Sequence, residues 1–125
     1  MKSANPMPSI LVVTRDDEER SILAKHLEYC IGKVRILSTD CCRKAREMNS
    51  DQAFNVLVID EELPDCKGHE LAAGFWANGG KGSVIITRED HSTLAKETFV
   101  LGVLKKPFRA EALVRLVRTA LEDET

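Results

Sequence analysis

Asn55-Val56-Leu57-Val58-Ile59-Asp60 is the stretch from which the rest of the chain can be read. Its unbroken apolar run, mostly β-branched, predicts a strand buried on both faces of a parallel sheet. The run stops at a carboxylate, and Pro64 and Gly68 then turn the chain. A charged group at the carboxyl end of a buried strand stands where open α/β folds gather ligands and chemistry.

Outward from this stretch the pattern repeats. Ile10-Leu11-Val12-Val13 and Val84-Ile85-Ile86 are equally uninterrupted, Val34-Arg35-Ile36-Leu37 alternates as an edge strand does, and Val103-Leu104 is a short fifth strand. Helical periodicity falls between them. Residues 18–30 set Ile22, Leu23 and Leu27 on one face, and residues 41–48 follow Asp40, whose side chain suits an N-cap. Residues 68–77 space Leu71, Ala72, Phe75 and Trp76 as a helix does, with Gly79-Gly80 to end it. A helix is also predicted over 92–100. Residues 110–122 carry a wide apolar stripe of Leu113, Val114, Leu116, Val117, Ala120 and Leu121. Five strand–helix units predict an α/β domain with a doubly wound parallel sheet and right-handed crossovers.

The length of 125 residues suits one domain, read as 10–122, with a disordered leader over 1–9 and a chain end or linker start over 123–125. A net charge of −2 supplies no basic field for nucleic acid or an anionic membrane. No apolar stretch nears the ~20 residues that span a bilayer, and the leader lacks a signal-peptide core; a cytoplasmic setting is the expectation. Cys30, Cys41, Cys42 and Cys66 have no CxxC spacing and read as four free thiols, with a redox switch at Cys66 as the sharper alternative. His26, His69 and His91 are scattered and suggest no shared site. Glu61 and Glu62 read as solvated loop charges, and Phe75-Trp76 as core and partner surface.

The strands of a doubly wound sheet end on one side. Thr14-Arg15-Asp16-Asp17, Asp60, Thr87 and Lys105-Lys106-Pro107 then face one crevice. A carboxylate can attack phosphorus, while a hydroxyl and an ammonium can bind phosphate oxygens.

On these residues the chain resembles the receiver domain of two-component response regulators, from about Ile10 to Leu121. Asp60-Glu61-Glu62-Leu63-Pro64, with Gly68, Glu70 and Leu71, resembles that family's phospho-acceptor loop. Val84-Ile85-Ile86-Thr87 resembles its hydroxyl-bearing strand, Lys106-Pro107-Phe108 its turn with a cis Lys-Pro bond, and Arg20 an arginine common on its first helix. The resemblance implies a flavodoxin-like (βα)5 sheet of order 2-1-3-4-5. It implies Asp60 as phospho-acceptor, with Thr87 and Lys106 binding the phosphoryl group. It implies Mg²⁺ held by Asp60 and the Glu62 backbone carbonyl. The partners implied are a histidine kinase or phosphotransfer protein and a downstream protein or output domain, with a homodimer allowed and no direct nucleic-acid or membrane contact. Such a domain is a signalling module; at most it promotes its own aspartyl phosphorylation and dephosphorylation.

The sequence departs from that pattern around the metal. The family's acidic pair after the first strand falls here on Thr14 and Arg15, with Asp16 one step late as a substitute metal ligand. A guanidinium repels a divalent cation, so Arg15, or Arg88 after Thr87, is expected to pair with Asp60 in place of Mg²⁺, the alternative being that Arg15 points to solvent as an ordinary surface charge. Glu89 falls at a tuning position, Val103 where the family carries a switch aromatic, and the segment from Thr87 to Lys106 is about three residues short. Two further readings follow. One is a pseudo-receiver that binds proteins without phosphorylation. The other, a small flavin- or nucleotide-binding enzyme, is opposed by the lack of a Gly-rich or Ser/Thr-rich phosphate loop after the first strand.

Overall fold

The computed structural model describes residues 7–51, 54–77, 83–88 and 100–122. Five strands, β1 (Ser9–Val13), β2 (Arg35–Thr39), β3 (Val56–Asp60), β4 (Ser83–Arg88) and β5 (Val100–Lys105), form one parallel sheet of order β2-β1-β3-β4-β5. The described helices are α1 (Asp17–Ile31), α2 (Cys42–Asp51), α3 (Gly68–Ala77) and α4 (Ala110–Glu122). This is the expected flavodoxin-like α/β architecture with the expected strand order.

The strand sequences explain the layering, because alternate residues point to opposite faces. Leu11, Val13, Leu57 and Ile59 pack with Leu71, Ala72 and Phe75 of α3 and Ala45 of α2. Ile10, Val12, Val56, Val58 and Ile85 pack with Leu23 and Leu27 of α1 and Leu113, Val114, Val117 and Ala120 of α4. With helices on both faces, β1 and β3 are buried along their whole length.

Ser9 belongs to β1 and not to the leader. Its N–H donates to Asn55 Oδ1 at 2.8 Å, and the Pro8 carbonyl accepts from the Arg35 N–H at 2.8 Å. Residues 1–6 and 123–125 lie outside the described residues, as do Gly79-Gly80, Glu89 and 92–99 of the helix expected over 92–100. Val100 opens β5, which is longer than the Val103-Leu104 pair suggested. Ile22 is 56% exposed instead of sharing the buried face with Leu23 and Leu27. Gly32 ends α1 at φ 92°, a conformation that glycine tolerates, and its N–H donates to the Glu28 carbonyl at 3.1 Å.

Two expectations are overturned where α2 begins. Its cap is Asp65, from the loop after β3: Oδ1 accepts from the Cys42 N–H at 2.8 Å and Oδ2 from the Arg43 N–H at 3.0 Å. Asp40 instead pairs with Lys44 at 3.4 Å. Beside this cap Cys42 and Cys66 form a disulfide, with Cα atoms 6.2 Å apart, and only Cys30 and Cys41 are free thiols. The expectation of four free thiols overlooked that α2 and the β3–α3 loop meet on the same face of the sheet. A bridge closing a loop of this size stabilises a fold by about 3 kcal/mol, chiefly by restricting the unfolded chain. Among the described residues no helix is long and apolar enough to cross a membrane.

Candidate functional site

The strand order reverses between β1 and β3, and a doubly wound sheet opens its ligand crevice at that switch point. Thr14 leaves β1 there, and Asp60 ends β3. Thr87 of β4 stands level with Asp60 in the ladder, and the Thr87 carbonyl accepts from the Glu61 N–H at 2.8 Å. Lys106 follows β5 and enters the cis Lys106-Pro107 bond. Asp60, Thr14 and Thr87 are all buried, at 6%, 3% and 4% exposure.

The Asp60 oxygens have different partners. Oδ1 accepts from the Glu62 N–H at 3.2 Å. Oδ2 lies 2.8 Å from Lys106 Nζ and 3.2 Å from Thr14 Oγ1. Lys106 Nζ also reaches Glu19 Oε1 at 3.1 Å, and Thr14 Oγ1 lies 2.9 Å from the same oxygen. Burial works against the ammonium. The hydrogen bonds and charges of Asp60 and Glu19 outweigh it, and the Lys106 pKa stands above the ordinary lysine value. Lys106 therefore stays charged throughout the neutral range.

The loop after Asp60 is closed by its own bonds. The Gly68 N–H donates to the Glu61 carbonyl at 2.9 Å, and Lys67 Nζ pairs with Glu62 Oε1 at 2.9 Å. Glu61 is not solvated: it is 3% exposed, and its two oxygens take the His69 N–H at 3.0 Å and His69 Nδ1 at 2.5 Å. Pro64 lies within this loop. Gly68 starts α3 against the backbone of Asp60 and Glu61, where a Cβ would lie 2.5 Å from the Asp60 carbonyl oxygen.

The residues expected to modify the site divide. Arg15 is exposed, and the ion pair on Asp60 comes from Lys106 instead. A long side chain just after β1 reaches solvent more easily than a crevice that another cation fills. Asp16, the substitute metal ligand of the sequence, caps α1: its Oδ1 accepts from the Glu19 N–H at 3.0 Å. Arg20 bonds the Thr14 carbonyl at 2.7 Å and pairs with Asp17, pinning the end of β1. The backbone of Arg88 closes β4 beside Lys105; its side chain, like all of Glu89, is outside the described residues. Val103 is 45% exposed on β5.

These placements test the site against Mg²⁺, which requires near-octahedral oxygen ligation. Thr14 is neutral and bonded to carboxylates, Arg15 is exposed, Asp16 caps a helix, and an ammonium sits on Asp60 Oδ2. Among the described residues no three His, Cys, Asp or Glu side chains gather as a metal-binding group. The donor set does not fit an acid-pair Mg²⁺ site.

The residue that sequence reasoning missed is Glu19. Asp16-x-x-Glu19 has the spacing of a helix capping box, in which Glu19 would bond back to the Asp16 N–H. That N–H lies 3.4 Å from Thr14 Oγ1 instead, and Glu19 turns into the crevice.

No protein-family model and no curated protein matches the sequence. Solved structures do match the fold. The receiver domain of the Francisella response regulator 1452 superposes with a TM-score of 0.85 at 20% identity, over 94% of this chain and 99% of that one. A CheY-like response regulator receiver domain from Methylobacillus flagellatus gives 0.81 at 18%, over 92% and 99%. The BeF3-activated DrrB receiver domain gives 0.74 at 25%, over 94% and 99%. The fold is that of response regulator receiver domains, which are signalling modules.

Proposed function

We propose that the chain is a two-component receiver domain in which Asp60 takes a phosphoryl group from a phosphohistidine on a histidine kinase or phosphotransfer protein. The observation that carries this reading is the partly buried Lys106–Asp60 ion pair at the carboxyl end of β3, with Thr87 level beside it. In the reaction an Asp60 oxygen bonds to phosphorus as the P–N bond of the donor breaks, its electron pair returning to the imidazole. Lys106 and Thr87 take the equatorial oxygens of the transferred group. No step is assigned to a divalent cation, because Lys106 already supplies positive charge at the carboxylate. A groove of about 700 Å³, bordered by Glu19, Ile22, Lys106 and Phe108, gives a donor an approach.

A second reading has its own observation: Asp60 is already neutralised by Lys106, and the acid pair is lost to Thr14 and Arg15. On that reading the domain is a pseudo-receiver that binds proteins unphosphorylated. Incubation with phosphoramidate, read by intact mass, separates the two. The expected result is one phosphate adduct, absent in Asp60→Asn, that still forms when EDTA replaces Mg²⁺. No adduct at any Mg²⁺ concentration overturns the acceptor reading in favour of the pseudo-receiver.

A further inference from the structure

Several carboxylates lie close to Asp60 in sequence or space, and nearly all are committed elsewhere. Asp16 caps α1. Asp17 pairs with Arg20. Glu61 holds His69, and Glu62 holds Lys67. Glu19 differs. From the first turn of α1 it bonds the same two groups, the Lys106 ammonium and the Thr14 hydroxyl, that bond Asp60 Oδ2.

The arrangement has a consequence for the carboxylate. Thr14 has one hydroxyl proton for two carboxylate neighbours, so it donates to one at a time. One ammonium likewise serves both acids. A lysine side chain on its own has many rotamers, and a single ion pair restrains it poorly. A second anchor fixes Nζ over Oδ2, while Oδ1, among the described residues, accepts from the Glu62 N–H.

We propose that Glu19 is a positioning residue for chemistry at Asp60. From a helical turn it fixes Lys106 and Thr14 on Oδ2. The inference rests on the reading of Asp60 as phospho-acceptor. When Asp60 becomes an acyl phosphate its charge moves to the phosphoryl oxygens. Lys106 then shifts to one of them while Glu19 still holds its other side.

The test has two arms on the full chain. The first is the ¹H–¹⁵N resonance of the Lys106 ammonium at low temperature, assigned by its loss in Lys106→Arg. It is slow to exchange in the wild type and lost to exchange in Glu19→Ala. The second is the rate of phosphoramidate labelling. It falls about tenfold in Glu19→Ala, the size expected for one hydrogen bond to a charged group. Glu19→Gln keeps an acceptor without the charge and sits between the two. The thermal midpoint reports the fold, and if Glu19→Ala unfolds, Glu19→Gln carries the same comparison. An unchanged Lys106 resonance, or an unchanged rate, overturns the inference. A wild-type chain that takes no phosphate rejects the acceptor reading, and with it the role of Glu19 in that chemistry, while the resonance separately reads the hold of Glu19 on Lys106 without phosphorus.

Discussion

Gly68 is as much a part of the Asp60 site as any charged group, although it has no side chain. A Cβ there would meet the Asp60 carbonyl oxygen at 2.5 Å and the Glu61 Cα at 2.9 Å. Both are backbone atoms, so neither can swing aside. Gly68→Ala is expected to destabilise the domain by about 1–3 kcal/mol, the range for overpacking, as read from the denaturant midpoint. It should also displace the amide resonances of Asp60 and Glu61, whereas Gly74→Ala, with open space around its Cβ, leaves them in place. At this scale the sequence was legible where a residue type sits at a strand end, as with Asp60, Thr87 and Lys106. Glu19 was not, because its spacing from Asp16 fits a local helix cap and only the folded sheet brings Lys106 within its reach.

Helix α2 is held at its start by a residue that comes after β3. The Asp65 pKa is lowered by the hydrogen bonds from the Cys42 and Arg43 N–H groups, which outweigh the opposing effect of burial. The folded-state pKa is below the unfolded one. The cap therefore stabilises the fold above the ordinary carboxylate range, and its contribution is lost as pH falls through that range to the lowered value. Asp65→Ala is expected to cost about 1 kcal/mol at neutral pH and to flatten the acid side of the stability curve. Chemical denaturation measured from neutral to acid pH checks both. The strands and the helices over 68–77 and 110–122 were readable because periodicity is local. The cap of α2 was misread because Asp40 adjoins the helix in sequence, while Asp65 reaches it only through tertiary structure. Ile22 was misplaced because a helical stripe does not show how wide its buried face will be.

For the whole molecule, continuous apolar runs told of a sheet covered on both sides, and alternate residues of β1 and β3 do serve two separate cores. Apolar pattern gives no partner for a cysteine, so the bridge between Cys42 and Cys66 was beyond its reach. That bridge closes a covalent ring across a separation of 24 residues, with Asp60 inside it. Tension applied at the two ends of the chain would pass from Cys42 to Cys66 through sulfur, and the ring would not extend. In single-molecule pulling, the oxidised domain should release a contour length shorter by roughly 80 Å than the reduced one. Equal lengths would show that the ring is open. When the ring is closed, Asp60 and α2 lie on the one part of the chain that carries no mechanical load.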